Sequence, residues 1–214
     1  METILKKTEG EPRFPDRLPL LILASRSPRR RELLSRLTGN FRTVPSSFDE
    51  TPLMAAGLPP EELVLALSEG KALSVRRRPD TPPDAVVIGG DTVVVSPSGE
   101  IFGIPQDRAG AERMLRELSG RTHRVVTGIT LAGTAGLSRF SVTTEVVFYP
   151  LSPAEIDWYL NTGEPFDKAG AYGIQEKGAL LVREIRGDYC NVVGLPLAEL
   201  ARTLSEFCEK FLNS

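Results

Sequence analysis

Short uninterrupted apolar runs alternate along this chain with stretches in which apolar positions recur every three or four residues. The first pattern predicts buried strands and the second predicts amphipathic helices. Residues 20–24, Leu-Leu-Ile-Leu-Ala, make the first run. A helix opens directly after it. Ser27 suits an N-cap, Pro28 sits where its missing N–H costs nothing, and Leu33, Leu34 and Leu37 supply an apolar face. Residues 41–44 predict a short strand and residues 45–52 a polar loop. A long helix is expected over 60–77, carried by Leu63, Leu67, Ala72 and Val75.

The fully apolar run 85–88 has the character of a central strand. Gly89-Gly90-Asp91-Thr92 interrupts it before Val93-Val94-Val95 resumes, and paired glycines in a strand mark a bulge or a close backbone approach. A turn at 97–99 leads into 100–102. A helix starts near Asp107 and stops at Gly120, and strands are expected over 124–131 and about 140–149. Ser152-Pro153-Ala154-Glu155 is a capping box opening a helix that ends at Gly163. A glycine-containing loop, 165–175, is followed by expected strands at 179–185 and 189–193 and a last helix over 196–212. Helices alternate with strands early and strands adjoin strands late, so the fold class is α/β with a mixed sheet.

At 214 residues the chain is long enough for a real core, and 41% hydrophobic and 25% charged residues are ordinary for a soluble globular protein. Residues 1–17 are polar and proline-containing, lack a signal-peptide core, and read as a flexible extension before a single domain over 18–214. A net charge of −2 argues against a nucleic-acid partner, and no apolar stretch reaches the roughly 20 residues of a membrane helix. Cys190 and Cys208 show neither metal spacing nor a disulfide framework, which points to a reduced, cytoplasmic protein.

The basic residues are local. Arg76 to Arg78 fall at a helix end, where cations suit the dipole, and read as structural. Arg26, Arg29, Arg30 and Arg31 instead crowd a helix start, where cations oppose the dipole. Such a turn taken alone is solvated surface; strand, capped turn and Ser-Pro-Arg-Arg together point to a phosphate cradle. Asp91 and Glu50 suit a hard divalent ion that keeps several waters and shares substrate phosphates. Asp91 also suits a base that orients or deprotonates water, against the plainer reading of a turn or cap residue. Lys71 and Lys168 are candidate phosphate contacts, and the Gln175 amide offers both donor and acceptor to a base edge. His123, the single histidine, reads as a turn anchor or strand-edge packing group, since no Ser/His/Asp triad is evident.

These residues fall in motifs that resemble the Maf (septum-formation) nucleoside triphosphate pyrophosphatases. The motifs are Ser25-Arg26-Ser27-Pro28-Arg29-Arg30, Gly90-Asp91-Thr92, Leu118-Ser119-Gly120-Arg121-Thr122-His123, Asp167-Lys168-Ala169-Gly170-Ala171-Tyr172-Gly173-Ile174-Gln175 and Gly187-Asp188-Tyr189 with Asn191 to Pro196, in the family's order. The resemblance implies an elongated, twisted mixed sheet with flanking helices, two lobes around a cleft, like the inosine triphosphate pyrophosphatases. It implies hydrolysis of a nucleoside triphosphate to monophosphate and pyrophosphate with Mg²⁺ or Mn²⁺, and a homodimer.

By the same resemblance Asp91 is the proton acceptor, Glu50 lies near the metal, and Arg30 and Lys71 bind phosphate; Ser25 and Lys168 join them as candidate substrate contacts. Arg29, Thr92 and Gln175 set specificity and place the chain in the branch acting on dTTP and UTP, including modified pyrimidine nucleotides. The alternatives are a nucleotide-binding regulator with weak catalysis, or the same chemistry on 7-methyl-GTP. Ile104 stands where the family usually has lysine. Losing one charge-assisted hydrogen bond costs about 1.5–3 kcal/mol, or about 10- to 150-fold, so reduced activity is expected unless Arg26 or Arg108 substitutes.

Overall fold

The computed structural model describes residues 18–212; the expected N-terminal extension, 1–17, lies outside the described residues. Among these residues one seven-stranded mixed sheet runs β2-β1-β3-β5-β6-β7, with β4 paired to β3. The strands are β1 (Leu21–Leu23), β2 (Phe41–Thr43), β3 (Val86–Val95), β4 (Ile101–Phe102), β5 (Thr122–Gly133), β6 (Gly136–Phe148) and β7 (Val182–Arg186). The contacts β1–β2 and β1–β3 are parallel, and the rest are antiparallel. Helices α1 (Pro28–Ser35), α2 (Thr51–Met54), α3 (Pro60–Arg76), α4 (Arg108–Leu118), α5 (Pro153–Leu160), α6 (Tyr189–Val193) and α7 (Leu197–Leu212) flank it.

Side chains on a strand alternate between faces, and on β3 and β5 that alternation divides the core. On one face Val86, Ile88, Ile129 and Leu131 pack with Leu33 and Leu34 of α1 and with Leu200 and Leu204 of α7. Further along the same face Val94 and Val125 pack with α4 and α5. On the opposite face Val87 and Ala132 meet Ala72 and Val75 of α3, and Val93, Val95 and Val126 meet Leu63, Val64 and Leu67. Between the paired clusters both strands carry small or polar residues: Gly89, Gly90, Asp91 and Thr92 on β3, Thr127, Gly128 and Thr130 on β5. The core is therefore split into two ends with a polar waist.

The waist also lies at an open edge. β1 covers β3 only at Val86 to Ile88, and β4 only at Val94 and Val95. From Gly89 to Val93 that edge of β3 has no strand neighbour among the described residues, while β5 pairs along its whole other edge. Backbone groups left unpaired there need other partners.

Several expectations are corrected. The Gly89-Gly90 pair neither interrupts nor bulges the strand, because β3 is continuous and Asp91 sits mid-strand. The glycines serve close approach: a Cβ on Gly89 would stand 2.0 Å from the Ser68 carbonyl oxygen of α3, and one on Gly128 2.4 Å from that of Val64. Residues 189–193, expected as a strand, form α6. The Asp188 carboxylate accepts from the Cys190 N–H at its start, and Gly194, at φ 117°, ends it in the left-handed region. These two caps override the strand preference of Tyr and Val. The strand expected at 179–185 begins with a 3-10 turn, Lys177–Leu181, before β7. The polar loop 45–52 runs into the short helix α2. The Arg76 to Arg78 run is structural as expected, with Arg76 donating to the carbonyls of Pro82 and Pro83 and Arg78 to that of Pro45.

Candidate active site

The turn after β1 folds as its residues dictate. The Ser25 Oγ accepts from the Ser27 N–H (3.1 Å), and the Ser27 Oγ, as N-cap, accepts from the Arg30 N–H (3.3 Å). This fixes the start of α1, where the first-turn N–H groups have no intrahelical acceptor and favour anions. The Arg30 side chain then runs back beneath the sheet waist. Its Nε donates to the Gly194 carbonyl (2.8 Å) and its Nη2 to Thr92 Oγ1 (2.9 Å). Thr92 in turn shares a hydrogen bond with Thr127, whose hydroxyl donates to the Asn191 carbonyl. Burial pulls the Arg30 pKa down, against the raising effect of Asp91.

The other face of β3 meets α3. Ser68 and Thr130 share a buried hydrogen bond of 2.8 Å, made reachable by the missing side chains at Gly89 and Gly128. One turn on, Lys71 Nζ lies 2.6 Å from Asp91 Oδ1 and 2.9 Å from Glu50 Oε1. The Glu50 loop is seated by Phe48, whose ring lies where a Cβ on Gly70 of α3 would be, 2.5 Å away. Asp91 is only 8% exposed. Burial raises its pKa above the ordinary carboxylate value, Lys71 and Arg30 oppose that rise, and the net shift is upward.

The third wall is the segment expected as a loop over 165–175, which instead holds two short 3-10 turns, Glu164–Asp167 and Ala169–Ala171. Asp167 accepts from Arg29 Nη1 (3.0 Å) and from Lys168 Nζ (2.7 Å). Burial alone would raise the Asp167 pKa; the hydrogen bonds from Lys168 and Arg29 outweigh it and hold it low. Lys168 is buried, lies over Gly173 and also donates to the Glu164 carbonyl. Gln175 is half-buried at the cleft wall.

The nine candidate site residues — Ser25, Arg29, Arg30, Glu50, Lys71, Asp91, Thr92, Lys168 and Gln175 — line one cleft of about 860 Å³ at the open edge of β3, whereas Arg31 of the basic turn does not. Their sequence separations reach 150 positions, yet the sheet waist collects them. Asp167 as the shared partner of Arg29 and Lys168, and Asn191 and Thr127 as the support of Thr92, were not legible as such. Asp167 and Asn191 were signalled only by membership of the same motifs, and Thr127 by nothing in the sequence. Of the two candidate substitutes for Ile104, Arg108 is paired with Asp157 and lies outside the cleft lining, whereas Arg26 lines the cleft with Ile104. His123 is no part of the site. It is buried in β5, its Nε2 2.8 Å from the Tyr172 hydroxyl and its ring edge-on to Phe148.

Glu50 and Asp91 converge on one point, now held by Lys71, and no cluster of three or more potential metal ligands exists among the described residues. Two carboxylate oxygens fit a divalent ion that completes its shell with substrate phosphates and waters.

A buried carboxylate, Asp91, facing arginines at a helix start and lysines from two other segments defines a protein that handles a phosphorylated ligand at the broken edge of a mixed sheet. The comparisons make this specific. The Maf-like protein family matches residues 20–207, and the chain belongs to it. The dTTP/UTP pyrophosphatase of Bacillus velezensis is 50% identical over 187 residues, covering 87% of this chain and 96% of the relative. That of Symbiobacterium thermophilum is 50% identical over 190 residues, covering 87% and 93%. Among solved structures, the Staphylococcus aureus Ham1 protein aligns with a TM-score of 0.41 at 15% identity, over 60% of this chain and 71% of that one.

Proposed function

We propose that this protein hydrolyses dTTP and UTP to the nucleoside monophosphate and pyrophosphate, using Mg²⁺ or Mn²⁺. The observation that carries the reading is the buried Asp91 carboxylate, paired with Lys71, which also pairs with Glu50, within a cleft lined by Arg29 and Arg30. The names of the relatives at about half identity support the substrate.

In this reading Asp91 accepts the proton of a water that attacks the α-phosphorus. Its raised pKa brings its basicity closer to that needed near neutral pH. Lys71 leaves its two carboxylates to neutralise phosphate charge as substrate enters, and Arg30, braced by Gly194 and Thr92, holds a phosphate oxygen. A divalent ion at Glu50 and Asp91 would supply further charge neutralisation. Stabilising the developing charge is the larger part of catalysis for such chemistry. Thr92, Arg29 and Gln175 read the pyrimidine. A glutamine amide partly matches the acceptor–donor–acceptor edge of uracil or thymine.

The test is pyrophosphate release from a panel of nucleoside triphosphates, 7-methyl-GTP included, with Mg²⁺, with Mn²⁺ and with chelator. Turnover of dTTP and UTP that needs the metal and is nearly abolished in Asp91→Asn is expected. Full activity of Asp91→Asn, or turnover confined to 7-methyl-GTP, would sink the assignment.

A further inference from the structure

The cations of the cleft are nearly all engaged within the protein. Arg29 is held by Asp167, Arg30 by Gly194 and Thr92, Lys71 by Glu50 and Asp91, and Lys168 by Asp167 and the Glu164 carbonyl. Among the described residues lining the cleft, Arg26 is the cation with no hydrogen-bond or ion-pair partner, and it is exposed. Its backbone is nonetheless fixed. Ser25 before it is buried, Ser27 after it is the N-cap of α1, and both hydroxyls are used locally. The turn thus presents an uncommitted guanidinium on a rigid mount.

The cleft sets what that guanidinium meets. Asp91 is buried, so a substrate whose α-phosphorus lies against it leaves its outer parts toward the rim, where Arg26 stands. A guanidinium meets phosphate oxygens in a bidentate, charge-paired fork, whereas a neutral pyrimidine offers it only single carbonyl acceptors. Ile104, 59% exposed at the same cleft, offers no charge there. Arg26 breaks no internal contact on binding, unlike Arg29 or Lys168, which would have to leave Asp167. We propose that Arg26 binds the two terminal phosphates of the substrate and so recognises the pyrophosphate portion that leaves. This rests on the pyrophosphatase reading.

Calorimetric binding of inorganic pyrophosphate and of thymidine monophosphate, each with Mg²⁺, tests the assignment separately from turnover. The proteins are wild type, Arg26→Gln, Arg26→Lys and Arg36→Gln. Arg36 pairs with Glu32 at the far end of α1, outside the cleft lining, so its loss reports the change in net charge alone. Arg26→Gln should weaken pyrophosphate by about 10- to 100-fold, the range of one charge-assisted contact, and leave the monophosphate unchanged. Arg26→Lys should recover much of the loss, and Arg36→Gln should match wild type. Pyrophosphate and monophosphate weakened alike, neither weakened, or no pyrophosphate bound by wild type would overturn the proposal. Absence of turnover on every triphosphate, with the pyrophosphate difference intact, would overturn the enzymatic reading and leave the Arg26 contact standing.

Discussion

Asp91 is buried beside an ammonium, and these two influences act in opposite directions on its proton. Burial is the larger, so the carboxyl titrates above its ordinary value of 3.8. A base must be ionised to act. Activity should therefore fall as pH drops through that raised pKa, and the acid limb of kcat/KM should lie above the ordinary carboxylate value. A limb at or below 3.8, measured with metal well below saturation because a divalent ion on Asp91 would itself lower its pKa, would show that Asp91 is not the base. Asp91→Asn should keep the fold, since Lys71 retains Glu50 as its partner. At the rim, Ile104 is exposed on the cleft, so a lysine there would reach solvent and phosphate without strain. Ile104→Lys should raise kcat/KM for dTTP by about 10-fold or more, the scale of one charge-assisted contact. No gain in the steady-state assay would show that the position carries no phosphate contact in this chain.

The element that sets the site is α3 lying flat against β3 and β5. Its approach depends on two glycines, and only Gly89 announced itself in the sequence, beside Gly90, as a close approach or a bulge. The second partner, Gly128, lay unremarked in a strand because nothing in its neighbours says that a helix crosses there. Gly89→Ala would drive a methyl into the Ser68 carbonyl. The helix would have to lift, at a cost of about 1–3 kcal/mol for overpacking, and Lys71, one turn beyond Ser68, would lose its placement between Glu50 and Asp91. A fall in the denaturation midpoint together with a larger fall in turnover is expected. A stable, fully active variant would show that the contact can relax harmlessly. Helix α6 teaches the converse lesson. Tyr, Cys and Val gave a strand-like pattern over 189–193, and two capping residues at its ends decided for helix. Local caps were readable there, but their weight against β-propensity depended on Asn191 reaching the Val125 carbonyl and Thr144 on the sheet.

On the scale of the whole molecule, the split core carries a pH signature. His123 lies within the cluster that packs Phe148 and Tyr172, and burial pulls its pKa from 6.5 to about 3. The unfolded chain therefore binds this proton more readily than the folded one. The stability it contributes is complete above about pH 6.5 and is lost as pH falls toward 3, at about 1.4 kcal/mol per pH unit. Urea denaturation from pH 7 to 4 should show that slope in wild type and a shallower one in His123→Gln. Identical slopes would mean the imidazole is not held neutral.

The sequence by itself determined the elements and the residue types. Apolar periodicity marked most strands and helices to within a few residues, Ser27 and Pro28 fixed the start of α1, and the clustered arginines, Asp91 and Glu50 stood out as candidate groups for phosphate and metal. Tertiary structure decided the rest. That Asp91 sits mid-strand at an open edge follows from β1 and β4 each covering only part of β3, a matter of pairing that no local pattern encodes. Likewise, which cations are engaged and which remains free depends on side chains meeting across as many as 164 positions, as Arg30 meets Gly194. Periodicity and capping act within a few residues of the chain. Pairing, desolvation and charge compensation act between segments that only the fold brings together.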